Sequence, residues 1–143
     1  MKPRTLLFAY QLLLGASDTS TGVLLLIAPA LTLRLMRLHA APDTLPFLSY
    51  IGAFVLSVGI ACFYGAWLTT VRGFAARLEV VWLLTAISRA SVALFVLASV
   101  FTHALEPGWL SVALSDGAFA LLQLIGLAKH WLPSIEATLP TAP

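Results

Sequence analysis

Charged residues are scarce in this sequence: Asp, Glu, Lys and Arg make up only 10% of its 143 residues. A soluble domain of ordinary composition carries about 25% charged residues. With 60% hydrophobic residues and a mean hydropathy of +0.97, the chain cannot cover a surface that faces water. The composition therefore predicts an integral membrane protein with the lipid bilayer as its partner. The formal net charge of +2 is too small and too scattered to indicate nucleic-acid binding.

The residues of catalytic and metal sites are also scarce. Cys62 is the single cysteine, so the chain can form neither an internal disulfide nor a CxxC redox pair. His39, His103 and His130 fall at or beyond the ends of apolar segments, where they cannot face each other to hold haem within a bundle. Metal-ligand spacings, GxSxG motifs and Gly-rich phosphate loops are absent from the sequence. The sequence therefore predicts no catalytic residue, no metal site and no cofactor in the chain itself, while a bound quinone or lipid stays open.

Four apolar segments are each long enough to cross a membrane as a helix. They cover about residues 5–28, 47–71, 78–101 and 109–132, and turns containing proline, glycine or basic residues separate them. About 20 helical residues span the hydrocarbon core at 1.5 Å per residue. We therefore predict an all-α membrane protein, a single domain over residues 1–143 with four transmembrane helices in an antiparallel bundle.

Three shorter stretches are less regular. The N-terminus has the basic residues Lys2 and Arg4 before an apolar run, a pattern typical of a secretory signal peptide. Cleavage after Ala16 would require a small residue at position 14, and that residue is Leu14. We therefore expect this segment to be an uncleaved span. Within residues 30–39, one helical face carries Leu31, Leu35 and Leu38, with Arg34 and Arg37 beside it. This pattern indicates either a short amphipathic helix at the membrane interface or a ragged end of the first span. Residues 133–143 are expected to form a loose tail.

The distribution of basic residues predicts the topology. One side of the membrane is expected to carry more basic residues than the other. The larger set is Lys2, Arg4, Arg72, Arg77 and Lys129, and the smaller set is Arg34 and Arg37. The positive-inside rule then puts both termini in the cytoplasm and the protein in the cell (inner) membrane, crossing it several times.

Polar residues inside the apolar segments are the candidate site. The set comprises Gln11 and Asp18 in the first segment, Thr85 and Arg89 in the third, and Asp116 and Gln123 in the fourth. Each isolated charge at the centre of a membrane helix costs roughly 2.5–3.5 kcal/mol on insertion scales. A guanidinium can serve two carboxylates through its fork of donors. We therefore predict that Arg89 pairs with Asp18, Asp116 or both. Such a cluster either fixes which helix faces which or binds a ligand, a proton or a partner.

The chain resembles the DoxX-like group of small four-helix bacterial membrane proteins. The resemblance lies in Leu13-Leu14-Gly15, Gly22-Val-Leu-Leu-Leu, Ala28-Pro29 and Ser115-Asp116-Gly117-Ala118-Phe119. It implies a four-helix membrane fold, and some members look like quinone-linked oxidoreductase subunits, but no functional residue transfers with it. The chain is also similar to small multidrug-resistance transporters in length and in its first-helix carboxylate, but Arg89 departs from their pattern.

These observations lead to two hypotheses. The first is a non-catalytic integral membrane subunit that packs within a larger complex of the respiratory or quinone-linked kind, beside a membrane-protein partner or a second copy of this chain. The second is a small proton-coupled transporter, or a protein that binds a quinone or another lipophile, built on the Asp18, Arg89 and Asp116 cluster. An enzymatic activity is the less favoured reading, because it would need a partner to bring the redox centre.

Overall fold

Every regular element of the computed structural model, which describes residues 2–138, is a helix. The helices are α1 (Pro3–Ile27), α2 (Pro29–Leu35), α3 (Leu45–Leu68), α4 (Ala75–Phe101), α5 (Leu110–Ala128) and α6 (Trp131–Ala137). Short 3-10 turns at Pro42–Thr44 and Pro107–Trp109 lead into α3 and α5. Pro3 and Pro29 begin α1 and α2, where the missing N–H has no partner to lose. The all-α prediction is confirmed over these residues.

Three stretches of helix are long and apolar enough to cross a membrane. They are Pro42–Leu68, Ala75–Phe101 and Pro107–Ala128. The first and the third include the short 3-10 turn that precedes the α-helix. This finding supports a membrane protein. With 25 residues, α1 has the length to cross as well, but Gln11, Asp18 and the hydroxyl residues around Asp18 lower its hydropathy, and it is not among the three.

The segment after α1 differs from the expected interfacial helix. We predicted one amphipathic stretch over residues 30–39, whereas α2 ends at Leu35 and Arg37 adopts a left-handed conformation with φ 57°. The chain turns there because Leu38, only 2% exposed, packs in a small core with Leu33 and Leu48. The buried face of α2 therefore contains Leu33, while Leu35, predicted to be part of the apolar face, is 66% exposed.

The end of the fourth apolar segment also differs from the prediction. We expected a span to residue 132 and a loose tail over 133–143, but α5 ends at Ala128 because His130 takes a left-handed conformation with φ 51°. Residues 131–137 then form α6, whose Leu132 is 1% exposed in the core. The Glu136 carboxylate accepts hydrogen bonds from the backbone N–H groups of Phe74 (2.9 Å) and Ala75 (3.1 Å). These bonds satisfy N–H groups at the start of α4 that have no partner within the helix. Residues 139–143 of the expected tail lie outside the described residues.

Helices α1 and α3 pack in very close contact through glycine. A Cβ atom added to Gly22 would lie 2.5 Å from the backbone nitrogen of Leu56, and one added to Gly52 would lie 2.8 Å from the backbone nitrogen of Leu26. Further along the helices, Gly59 faces Thr19 in the same way. Gly52 and Gly59 are seven residues apart on α3 and lie on one face, where small residues let another helix approach closely; α1 is the helix that packs there.

Helices α4 and α5 form a second close pair, and the two pairs meet through larger side chains. Within residues 2–138, no Cα atom of α1 lies within 8 Å of a Cα atom of α4 or α5. Aromatic rings bridge this distance: the Tyr10 ring centroid lies 5.8 Å from that of Trp82 and 6.4 Å from that of Phe119. Aromatic side chains therefore make contacts between the two pairs.

Hydrogen bonds between distant segments of the chain stabilise both ends of the bundle. At one end, Arg4 donates to the backbone carbonyl oxygens of Thr69 and, at 3.3 Å, Val71. At the opposite end, the backbone N–H of His39 donates to the Glu106 carboxylate at 2.6 Å. That bond stabilises the charged form, so it lowers the pKa of the Glu106 carboxyl below its ordinary value.

Candidate functional site

Arg89 lies between two carboxylates from different helices. Its Nη1 donates to Asp116 Oδ1 of α5 at 2.6 Å, and its Nη2 donates to Asp18 Oδ2 of α1. The Arg89 side chain is 5% exposed, and the side chains of Asp18 and Asp116 are 15% and 20% exposed. The structure thus brings together the three charged residues that the sequence predicted to meet, and the cluster joins α1, α4 and α5.

The fork of the guanidinium is what allows one cation to serve both acids. Each of its two terminal nitrogens reaches a separate carboxylate, a geometry that the point charge of a lysine does not offer. The central carbon of the guanidinium also lies 5.4 Å from the centroid of the Phe119 ring, within cation–π range. When all three groups are ionised, the cluster carries one excess negative charge, which uptake of a proton by either acid would remove.

Gln11 and Gln123 are buried without hydrogen-bond partners. Both side chains are 0% exposed, and within residues 2–138 neither the amide oxygen nor the amide nitrogen of either side chain has a partner. Gly65 leaves the space that Gln11 occupies, since an added Cβ would collide with the Gln11 amide nitrogen. The Gln123 amide lies beside the Tyr10 hydroxyl, although no hydrogen bond of normal geometry joins them. An unpaired buried amide costs roughly 1–3 kcal/mol, so these two are the most unusual polar groups in the interior.

Thr85 does not take part in the cluster. Its hydroxyl donates to the backbone carbonyl of Val81 at 2.8 Å, within its own helix. This is the local bond that serine and threonine commonly make inside helices. The position is buried, at 3% exposure, but its one hydrogen-bond donor is already used within α4.

The structure adds interior residues that sequence reasoning did not select. Tyr10 and Trp82 lie between the helix pairs, and among the described residues the Tyr10 hydroxyl and the Trp82 Nε1 have no hydrogen-bond partner. Trp82 is 3% exposed, so it belongs to the core rather than to a belt at the membrane surface. Cys62, which is fully buried, lies near Arg89. An aromatic residue near the end of an apolar segment looks the same in sequence whether it faces lipid or the interior.

The site offers charged groups and hydrogen-bonding groups. Over residues 2–138, no group of three or more His, Cys, Asp or Glu side chains is arranged to hold a metal ion. The chemistry available is ion pairing, proton uptake by a carboxylate, and hydrogen bonding by buried amides, a phenol and an indole.

Comparison of the chain with protein-family models, with curated proteins and with solved structures finds no match. The resemblance to DoxX-like proteins therefore stays a prediction.

Proposed function

We propose that this chain is an integral membrane protein that crosses the bilayer four times and binds a lipophilic molecule with a polar head, of the quinone or lipid class, between its two helix pairs. The observation that carries the proposal is the pair of fully buried, unpartnered amides of Gln11 and Gln123. Buried polar side chains in native proteins are almost always hydrogen-bonded. A ligand that supplies the partners accounts for both amides at once.

The four-crossing, antiparallel arrangement is supported by the order of contacts. Residues that come later in α1 lie against residues that come earlier in α3: Gln11 meets Gly65, and Gly22 meets Gly52. The start of α1 is also hydrogen-bonded to the end of α3 through Arg4. A helix that runs beside α3 over this length spans the same thickness. The excess of basic residues near the Arg4 end favours a cytoplasmic location for that end, in the inner membrane of a bacterial cell.

The cluster of Asp18, Arg89 and Asp116 lies about 10 Å from the two amides along the helix axes, because seven residues at 1.5 Å each separate Asp18 from Gln11 and Asp116 from Gln123. It holds α1, α4 and α5 together, so a ligand between the pairs would meet a pre-formed polar wall. The roles of non-catalytic subunit in a respiratory or quinone-linked complex, and of proton-coupled transporter, stay predictions.

Binding of named lipophiles to the purified protein tests this function. Decylubiquinone and dioleoyl-phosphatidylglycerol would be titrated separately into detergent micelles, and bound probe would be counted by native mass spectrometry. We expect at least one of them to bind saturably, one per chain. Exchange of Gln123→Met should weaken that binding about tenfold, because it removes two hydrogen-bonding atoms at nearly constant volume.

Stability measured on the same variants separates binding from folding. Without ligand, Gln123→Met should leave the free energy of unfolding unchanged or raise it, because an unpaired buried amide is removed. Thr85→Val is the matched control, since its hydroxyl is already bound to its own helix, and it should leave the dissociation constant unchanged. Absence of saturable binding of both probes, or equal affinity in wild type and Gln123→Met, would overturn the proposal.

A further inference from the structure

A groove with a volume of about 360 Å³ opens at one end of the bundle, where α1 begins and α3 ends. Its lining comprises Arg4, Thr5 and Phe8 of α1 with Thr69 and Thr70 at the end of α3, and both polar and apolar atoms of this lining are accessible from outside. The volume is at the lower end of the range for small-molecule sites. A ligand in this groove can therefore reach a cation, hydroxyl groups and an aromatic ring.

The partly exposed Arg4 contributes a fixed positive charge to this groove. Its Nε and Nη2 donate to the backbone carbonyl oxygens of Thr69 and Val71, and its central carbon lies 5.9 Å from the centroid of the Phe74 ring. These contacts hold the guanidinium in place, but among residues 2–138 no carboxylate lies within ion-pair distance of it. Within the same residues the third nitrogen, Nη1, has no hydrogen-bond partner, so it is available to an anion.

The threonines of the groove are not equivalent. The hydroxyls of Thr69 and Thr70 donate to the carbonyl oxygens of Ala66 and Trp67 in their own helix, both at 2.7 Å. Thr5 is exposed, and across residues 2–138 its hydroxyl has no such bond. A free hydroxyl can donate to an anionic oxygen, so Thr5 supplies a second donor to the groove.

Basic residues outnumber acidic residues at this end of the bundle. Over residues 2–138, the basic residues here are Lys2, Arg4, Arg72, Arg77 and Lys129, and the acidic residues are Glu79 and Glu136. The Glu136 carboxylate is already hydrogen-bonded to the start of α4. An anion is therefore attracted to this end, whereas a cationic group on the ligand is repelled.

Exposed aromatic side chains beside the groove are typical of the depth of lipid headgroups. Trp67, which is 53% exposed, stacks on Tyr64 with ring centroids 5.6 Å apart, one turn before Thr70. Trp and Tyr are enriched where the hydrocarbon of a membrane meets its headgroups. Along α1 the apolar surface continues from Phe8 to Leu12, which is 42% exposed. A ligand with its anionic head in the groove can therefore lay apolar chains along α1.

We infer that this groove binds the phosphate group of an anionic phospholipid, with Arg4 Nη1 and the Thr5 hydroxyl as donors and the acyl chains along Phe8. The inference is independent of the proposed function, because the groove lies at the end of the bundle and the amides of Gln11 and Gln123 are enclosed in the interior. A soluble phosphate ester has the same head chemistry but lacks the chains.

Three probes test the ligand class and separate its sources. Dioleoyl-phosphatidylglycerol, dioleoyl-phosphatidylcholine and sn-glycerol 3-phosphate would be titrated separately into the wild-type protein in micelles, and bound probe would be counted by native mass spectrometry. We expect saturable binding of the phosphatidylglycerol, at least fivefold tighter than that of the phosphatidylcholine, because each basic residue near the surface favours an anionic lipid by about 1 kcal/mol. Equal affinity for the two lipids, or equally tight binding of the glycerol phosphate, would overturn the inference.

A first pair of variants tests the cation. Arg4→Gln should weaken binding of the phosphatidylglycerol about tenfold, because it removes a charged donor. Arg34→Gln is the matched control, since Arg34 is exposed on α2 at the opposite end of the bundle, and it should leave the dissociation constant unchanged. Decylubiquinone has no phosphate, so any binding of it should be the same in Arg4→Gln and in wild type.

A second pair tests the location without changing the contacts of Arg4. Thr70→Trp, at an exposed position of the lining, should fill the groove and weaken binding of the phosphatidylglycerol at least tenfold. Thr102→Trp is its control, at an exposed threonine that follows α4 at the opposite end, and it should have no effect. Circular dichroism of each variant checks that the helices are retained.

The same variants separate this inference from the proposed function. Unchanged affinity for the phosphatidylglycerol in Thr70→Trp, with weaker binding in Gln123→Met, would overturn the groove as the site and leave the proposed function standing. Loss of that binding in Thr70→Trp, with Gln123→Met equal to wild type for both the phosphatidylglycerol and decylubiquinone, would support the groove and overturn the proposed function.

Discussion

At the scale of single residues, the interior is dominated by one cation that is shared by two acids. Arg89 is 5% exposed and is the point at which α1, α4 and α5 are joined by charge. Removing one member of a buried ion pair leaves an uncompensated charge, which typically costs 3–5 kcal/mol. The three members are not equivalent, because loss of either acid leaves a neutral pair, whereas loss of the cation leaves two acids together.

Substitutions in the cluster should therefore destabilise the protein in a definite order. Arg89→Met should lower the free energy of unfolding by about 3–5 kcal/mol, and Asp116→Asn by clearly less. The measurement is chemical denaturation in micelles followed by circular dichroism. Asp43→Asn, at an exposed position outside the bundle, is the control and should change little. If Asp116→Asn proved as damaging as Arg89→Met, the arginine would not be the centre of the cluster.

The sequence predicts the cluster but not the residues around it. Asp18, Arg89 and Asp116 could be identified because a charge in an apolar segment must find a partner, and few partners exist in this chain. Tyr10 and Trp82 could not, since an aromatic side chain suits lipid, core and ligand site equally well. Thr85 was selected for its polarity, but a hydroxyl can satisfy itself on its own helix.

At the scale of helices, close packing depends on where glycine meets backbone. Gly22 of α1 faces the backbone of α3, so an added Cβ would lie 2.5 Å from a main-chain nitrogen that cannot move aside. Gly117 of α5 faces only the Ala93 side chain, and an added Cβ would lie at an ordinary distance of 3.7 Å. Glycines in helices of similar apolar sequence thus have different roles.

A pair of alanine substitutions distinguishes these roles. Gly22→Ala should lower the free energy of unfolding by about 1–3 kcal/mol, the usual cost of overpacking. Gly117→Ala should be neutral or should stabilise by up to about 1 kcal/mol, because alanine is the better helix former. Thermal unfolding of both variants in the same detergent measures the difference. Equal effects at the two positions would contradict the close contact of α1 with α3.

Helix boundaries were the least predictable feature of the elements. The apolar segments gave α3 and α4 nearly in full, because hydrophobicity and length together specify a spanning helix. The break at His130 was not predictable, since neither glycine nor proline marks it, and a left-handed histidine is uncommon. Helix α6 was not predicted either, because its stability comes from contacts of Leu132 and Glu136 with distant parts of the chain.

At the scale of the whole molecule, the number of membrane crossings depends on α1. Three helices are apolar enough to cross by composition, and α1 lies alongside α3 over most of its length. If α1 crosses as well, residues 5 and 39 lie on opposite sides of the membrane. If only the other three helices cross, these two residues lie on the same side.

Single-cysteine labelling separates the two arrangements. In a Cys62→Ala background, Thr5→Cys, His39→Cys and Thr70→Cys would be treated one at a time with a membrane-impermeant maleimide, in intact cells and in inverted vesicles. We expect Thr5→Cys and Thr70→Cys to react from the same side, and His39→Cys from the other. Reaction of Thr5→Cys and His39→Cys from one side would contradict four crossings.

The contact between Asp18 and Arg89 also bears on how the protein is made. The two residues are 71 positions apart in the chain, so at 5–20 residues per second the ribosome needs about 4–14 s to reach the arginine after the aspartate. During that interval the first helix has its carboxylate and its glutamine but no countercharge. In the four-crossing arrangement the first helix must therefore stay beside the insertion machinery, packed against α3 alone. It can enter the lipid when α4 is synthesised and supplies Arg89.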